Sequence, residues 1–272
     1  MKLIHFFCKM NKCKGVTLQG KSCNRTCKEG IEFCGYHSKS KTVQINKQPV
    51  AVKQSIILTF SQSSFVVEPH MLVKLQGSRK GSRIIDLNKK LLQFDDRRTE
   101  IATVLVLPNY ANNNLYQTLL AIDWDKKILL RNKVVNRVGK YAISIDDTGK
   151  EPNYEENKYR VIAYDDVEEV RDLKDNLSKI FKQDRLSCKG EYNYNHEKLK
   201  LKYQGAKVNN MMCIHLGDPI QMSFKWYFAN KPASDSMEFT LNHGDLYIMS
   251  EKATGHDYKL KKNPILKHGY TI

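Results

Sequence analysis

Leu241-Asn242-His243-Gly244-Asp245-Leu246-Tyr247-Ile248-Met249-Ser250-Glu251-Lys252-Ala253-Thr254-Gly255-His256-Asp257-Tyr258-Lys259 decides how this chain is read. Strand-like runs at 237–241 and 246–249 flank Asn242-His243-Gly244-Asp245. Asn and Gly tolerate positive φ and favour tight reversals, so the tetrapeptide reads as a turn between strands. Just upstream, Ile220, Met222, Phe224, Trp226 and Phe228 alternate with Gln221, Ser223, Lys225 and Tyr227. A period of two sends one set to each face, the pattern of a half-buried strand. Residues 224–272 therefore read as paired strands.

Working towards the N-terminus, Tyr192 and Tyr194 share the same period of two. Val167, Val170, Leu173, Leu177 and Ile180 recur at helical spacing, and Asp165 with Glu168 has the look of a capping box opening a helix that runs to about Phe181. Ile101 to Leu107 reads as a buried strand stopped by Pro108. Asn112 is placed to cap a helix over 113–122 with Leu115, Leu119 and Ile122 on one side. Ser55 to Phe65 is strand-like, residues 76–83 mark a loop, and the polar, basic stretch 38–54 reads as a linker.

The quoted stretch, with Lys225-Trp226-Tyr227-Phe228 before it and Leu266-Lys267-His268-Gly269 after it, resembles the C-terminal half of AlkB-like Fe(II)/2-oxoglutarate-dependent dioxygenases, in versions carried by large DNA viruses. The resemblance runs from near Ile101 to His268 and includes the strand, proline, helix and Trp124 that open the family's domain. With the alternating strands it implies an α+β chain: a double-stranded β-helix (jelly-roll) with flanking helices, plus a small N-terminal zinc module. The expected partition is a zinc-binding module at 1–40, a basic linker and N-terminal extension at 41–100, and the AlkB-like domain at 101–272.

Iron in that family is held by two histidines and one carboxylate, with open positions for 2-oxoglutarate and oxygen. The first two ligands come as His-x-Asp on one strand, where residues i and i+2 share a face. The literal His243-Gly244-Asp245 falls in the turn and reads as structural. The family's own element aligns with Tyr203-Gln204-Gly205-Ala206-Lys207, between Gly190-Glu191-Tyr192-Asn193-Tyr194-Asn195 and Met211-Met212-Cys213-Ile214-His215-Leu216-Gly217-Asp218. Gln204 thus stands for the histidine and Ala206 for the aspartate, while His268 matches the third ligand. No arginine follows His268 to pair with the cosubstrate carboxylate. The expectation is a catalytically dead domain. The alternative is an active Fe(II)/2-oxoglutarate-dependent dioxygenase acting on nucleic acid, with His196, His215 or His243 supplying a ligand.

Cys8, Cys13, Cys23, Cys27 and Cys34 crowd the first thirty-four residues, and His37 follows. No secretory signal is evident, so a reducing, intracellular compartment and a metal are expected rather than disulfides. Cys34-Gly35-Tyr36-His37 has the two-residue spacing of a zinc knuckle, and Cys13, Cys23, Cys34 and His37 are the best ligand set. The spacing resembles a small Cys-Cys-Cys-His zinc module. Cys8 and Cys27 remain spare or substitute ligands, and Cys188 and Cys213 read as buried thiols.

The net charge is +16, and residues 1–47 carry ten Lys or Arg against two Asp or Glu. Such a balance favours a polyanionic partner, since Lys and Arg neutralising phosphate supply most non-specific nucleic-acid affinity. No apolar run reaches membrane-spanning length. Tyr192, Tyr194, Lys200, Lys202 and Lys207 form a candidate aromatic and basic rim for DNA or RNA. A virion structural or assembly protein, partnering other viral proteins, is the remaining class.

Overall fold

The computed structural model describes residues 11–13, 23–27, 53–62, 65–90, 100–260 and 263–271. The chain divides into two compact units, Met1–Ala51 and Val52–Ile272. In the first, β1 (Asn11–Lys12) pairs antiparallel with β2 (Thr26–Cys27), and the Cys13 N–H donates to the Arg25 carbonyl at 2.9 Å. Cys13, Cys23 and Cys27 are buried together there.

The second unit is mixed α+β, mostly sheet, and its large antiparallel sheets are consistent with a jelly-roll-like β-sandwich. The larger sheet has eight strands: β3 (Ser55–Ser61), β4 (Arg83–Asp86), β5 (Thr103–Leu107), β8 (Lys140–Asp146), β9 (Val161–Ala163), β10 (Ser187–Asn193), β11 (Met211–Gly217) and β15 (Leu246–Met249). β6 (Lys127–Leu130) and β7 (Lys133–Asn136) form a separate two-stranded ribbon. The spatial order of the large sheet is β4-β5-β15-β11-β3-β10-β8-β9, antiparallel throughout except for the parallel β8–β9 edge. In the smaller sheet β12 (Ile220–Phe228) pairs with β16 (Ile265–Thr271) along one edge and with β13 (Lys231–Pro232) and β14 (Met237–Leu241) along the other. Ser55–Ser61, expected in an N-terminal extension, lies inside the large sheet between β11 and β10. Long-range pairing decides that place, and a local pattern does not carry it.

Among the described residues four helices accompany the sheets: α1 (Pro69–Gln76), α2 (Asn113–Ala121), α3 (Glu168–Phe181) and α4 (Glu251–Thr254). Asn112 caps α2 as expected, its side chain accepting from the Leu115 N–H. The expected capping box does not form: Val167 precedes α3, and Asp165, on a 3-10 turn, instead takes Arg171 Nη1 at 2.7 Å. An ion pair to a nearby guanidinium has replaced the backbone cap. Ile180 is exposed, and Phe181 occupies the buried position next to Phe65, with ring centroids 5.6 Å apart. Among the described residues no helix is long and apolar enough to cross a membrane.

Because strand side chains alternate, the large sheet builds two cores. Ile56, Leu58, Phe60, Ile214, Leu216 and Ile248 share one core with Leu115, Leu119 and the inner stripe of α3. Ile57, Cys213, Tyr247 and Met249 share the other with Met222, Phe224, Trp226 and Leu266 of the small sheet. Trp226 is fully buried and donates its indole N–H to the Leu87 carbonyl at 2.7 Å.

Candidate functional site

The segment carrying Gln204 and Ala206 is laid against β16. Gln204 and His268 exchange both backbone hydrogen bonds, at 2.9 and 3.0 Å, as an isolated antiparallel bridge. The Ala206 N–H donates to the Thr254 carbonyl at 2.8 Å. Glycines permit this close approach: a Cβ on Gly205 would sit 2.2 Å from the Gly255 carbonyl oxygen, and one on Gly269 would sit 2.6 Å from the Lys202 carbonyl oxygen. Residues 64 apart in sequence are thereby brought opposite one another.

His268 is buried on the inner side of β16, its ring 5.7 Å from Phe224, which faces it across the β12–β16 register. Burial pushes the imidazole down to about 4, and its Nδ1 has no hydrogen-bond partner. Gln204 is exposed at the rim and Ala206 is half-buried. An amide is a weak, neutral donor and a methyl group is none, so these three residues do not fit Fe(II). Among the described residues no three His, Cys, Asp or Glu side chains are grouped to hold a metal ion.

Around this point the inter-sheet space is polar. The Tyr270 hydroxyl lies 3.2 Å from both Glu191 Oε2 and Asn193 Oδ1, and Asn193 Nδ2 donates to Ser55 Oγ at 3.1 Å. Lys140 Nζ closes on Glu191 Oε1 at 2.7 Å. On the outward face of the small sheet, Tyr203 and Ser223 share a 2.6 Å hydrogen bond next to Glu238. Cys213 Sγ approaches Thr59 Oγ1 at 3.5 Å, and burial pushes its thiol up to about 11. Cys213 and Cys188 are buried thiols in adjoining parts of the large sheet.

The five rim residues do not form one patch. Tyr192 belongs to the helix-side core, with Trp124 5.7 Å away, and its hydroxyl donates to Gln54 Oε1. Tyr194 stacks on Tyr141 at 4.3 Å, and its hydroxyl bonds the backbone at Arg137 and Gly139. Lys200, Lys202 and Lys207 are exposed. Packing and hydroxyl bonds claim both tyrosines, so neither presents an open ring for stacking.

The sequence reading passed over the β6–β7 ribbon. Residues 126–140 hold six Lys or Arg and no Asp or Glu. Arg131 and Asn132 have φ of 49° and 61°, the paired positive values of a two-residue reversal matching strand twist. Every residue of β7 is exposed, and Leu130, Val134, Val135 and Val138 present apolar side chains to solvent. The charge run and Asn132 were the available signals. At the ribbon's base the Tyr194 and Asn195 N–H groups donate to the Gly139 carbonyl, with Lys198 and Leu199 alongside Gly139.

Of the expected zinc ligands, Cys13 and Cys23 are buried in one cluster with Cys27. Cys34 and His37 lie outside the described residues, as does Cys8. His215 and His243, alternative iron ligands, each commit one ring nitrogen to backbone: His215 Nε2 to the Asp218 carbonyl at 2.9 Å, and His243 Nδ1 to the Gly217 N–H at 3.0 Å.

No family model matches the chain. A segment of 216 residues, 76% of this chain and 85% of the relative, is 29% identical to the uncharacterized protein R156 of Acanthamoeba polyphaga mimivirus.

Proposed function

We propose that this chain is a catalytically inactive AlkB-like double-stranded β-helix protein that binds nucleic acid, DNA or RNA, through a basic surface. The β6–β7 ribbon is the observation that carries the binding half. Isolated two-stranded ribbons are marginal in water, yet this one leaves β7 exposed on both faces and bears only positive charge. Phosphates match its lysines and arginines. Lys198 and Lys200 extend the same charge from the neighbouring segment.

The inactive half of the reading is supported by Gln204 standing opposite His268. The bridge sets Gln204 opposite His268, and the side chains of Gln204 and Ala206 lack the imidazole and carboxylate that Fe(II) needs. In the first unit, Cys13, Cys23 and Cys27 are buried together. A unit so short needs metal to supply its folding energy. Zinc on Cys13, Cys23, Cys34 and His37 would do so, with Cys27 beside it, and the unit's charge would add to phosphate contacts.

The test is fluorescence anisotropy with labelled single-stranded DNA, RNA and duplex over a salt series. Wild type should bind with a dissociation constant of about 1–100 μM near physiological salt, log K falling linearly with log salt. Lys127→Glu, Arg131→Glu and Lys133→Glu together should flatten that slope by about 3. An unchanged slope, or no binding to any of the three at low salt, overturns the reading.

A further inference from the structure

The antiparallel registers bring the ribbon and a second basic segment to the same end of the large sheet. Lys140 at the start of β8 pairs with Asn193, Asn193 with Ser55 at the start of β3, and Ser55 with Gly217 at the end of β11. Further across, Ile214 pairs with Leu246 at the start of β15, Leu246 with Leu107 at the end of β5, and Val106 with Arg83 at the start of β4. That end of the sheet therefore carries the base of the β6–β7 ribbon at β8 and the α1–β4 loop at the β4 edge.

The loop is a concentration of charge in its own right. Residues 74–90 hold six Lys or Arg, all exposed, and a single acid, Asp86, whose Oδ1 is taken by the Asn88 N–H at 2.9 Å. Two of the arginines are held in place without a carboxylate. Arg79 Nη2 donates to the Asn109 carbonyl at 2.6 Å, with its guanidinium 5.5 Å from the centre of the Tyr110 ring. Arg83 Nη2 donates to the Thr240 carbonyl at 2.6 Å and its guanidinium lies 5.9 Å from the Phe239 ring. A guanidinium carries five N–H donors in a fixed fork, so one hydrogen bond and a ring contact orient it and leave donors for a phosphate. Charge on a free edge strand also discourages pairing with other chains, but that role asks for no fixed orientation. Among the described residues neither arginine has an acidic partner, and neither do Lys127, Arg131 and Lys133 of the ribbon.

The spacing of the two basic segments fits a duplex. β5, β15, β11, β3 and β10 lie between β4 and β8. That makes six strand spacings, about 30 Å along the sheet at roughly 4.8 Å each. A duplex rises about 3.4 Å per base pair, and equivalent phosphates recur on one face after about 34–36 Å. The separation is thus about nine base pairs, close to one helical turn. Between the two segments lie residues 109–114 and the turns at 217–219 and 242–245. Exposed amides dominate there, at Asn109, Asn112, Asn113, Asn114 and Asn242, and such groups hydrogen-bond phosphate and sugar without charge. The carboxylates are occupied: Asp245 is buried and accepts from the Asn109 and Asn242 N–H groups, and Asp218 Oδ2 accepts from the Gln54 N–H at 2.7 Å.

We propose that one nucleic-acid duplex lies across this end of the large sheet, gripped at β8 by the ribbon and at β4 by the loop that carries Arg79, Lys80 and Arg83. The inference deepens the nucleic-acid reading above and rests on it: it names duplex as the ligand and the loop as a second contact. Each grip alone is an exposed charge patch. Mounted on one sheet, both act on the same molecule, and the second contact forms at the effective concentration set by the first. A duplex too short to reach both gains none of that.

The experiment is fluorescence anisotropy of the full chain with hairpin duplexes of about 6, 12 and 24 base pairs over a salt series. Wild-type affinity should rise about tenfold or more between the shortest stem and the middle one. Arg79→Glu, Lys80→Glu and Arg83→Glu together should remove that rise and flatten the salt slope on the longer stems by about 3. Lys74→Glu with Lys80→Glu, which disturbs neither anchored arginine, should flatten it by about 2 and serves should the first variant fold poorly. The ribbon variant with Lys127, Arg131 and Lys133 reversed should lose the rise as well. A rise that survives in the loop variants overturns the span, and the ribbon reading still stands if the ribbon variant alone loses affinity. Two short duplexes bound per chain, with no gain from length, also overturn it, because each grip then holds its own ligand. No binding of any duplex at low salt overturns the span and the nucleic-acid reading together.

Discussion

The two faces of the large sheet are built from alternate residues of the same strands and differ in kind. Towards the helices, β3 offers Ile56, Leu58 and Phe60, and β11 offers Met212, Ile214 and Leu216. Towards the small sheet the same strands turn Ser55, Ile57 and Thr59, then Cys213 and His215, while β10 adds Glu191 and Asn193. The helix-side face is close-packed hydrocarbon whose return scales with buried area. The inner face gives up part of that area to hydrogen-bonded polar groups, and each of those must stay paired. Stability is concentrated on one face and chemical potential on the other, so substitutions should separate the two.

The largest effect belongs to the helix side. Phe60→Ala should cost about 3–5 kcal/mol, because Phe60 is fully buried and its neighbours come from separate elements that cannot all collapse into the space. Urea denaturation reads this. A loss below about 1 kcal/mol would break the contrast between the faces.

Next comes the backbone junction of the inner site. Gly205→Ala should cost about 1–3 kcal/mol, since its Cβ would meet the Gly255 carbonyl and the Tyr258 Cβ, both held in place. The Gln204 and His268 amides should lose exchange protection along with stability. Asn193→Ala should cost about 1–3 kcal/mol by leaving the Ser55 and Tyr270 hydroxyls short of a partner, whereas Tyr270→Phe should cost about 1 kcal/mol. If the two prove equal, the polar column is ordinary packing.

What the sequence made legible follows the range of the interaction involved. The cap at Asn112, the alternation of 220–228 and the turn at 242–245, where Gly244 has φ of +82°, are set by neighbours a few residues away. The pairing of Gln204 with His268 was not foreseen, because no local pattern joins residues so far apart. The place of Ser55–Ser61 and the fate of Tyr192 and Tyr194 in aromatic packing depend on which strands lie side by side. The ribbon is a different case: its charge run was visible, but its exposure on both faces was not.

The smallest effect on stability carries the most about the inner face. Gln204→His with Ala206→Asp changes an exposed and a half-buried side chain, so the metal-free variant should melt within about 0.5 kcal/mol of wild type. Residues 204 and 206 share a strand face, and 204 sits opposite His268, so the substituted side chains would converge with that imidazole on the face turned inward. Adding Fe(II) at a hundred times its dissociation constant should then raise stability by about 2.7 kcal/mol, while wild type should not respond. Metal analysis after anaerobic purification supplies a second readout: iron near one per chain in the variant and none in wild type. Iron retained by the wild-type chain would mean that the inner face still holds a metal through other residues, and the inactive reading would fall. Iron absent from both would mean that the substituted side chains do not converge with His268, and the alignment of Gln204 and Ala206 with the iron motif would fall.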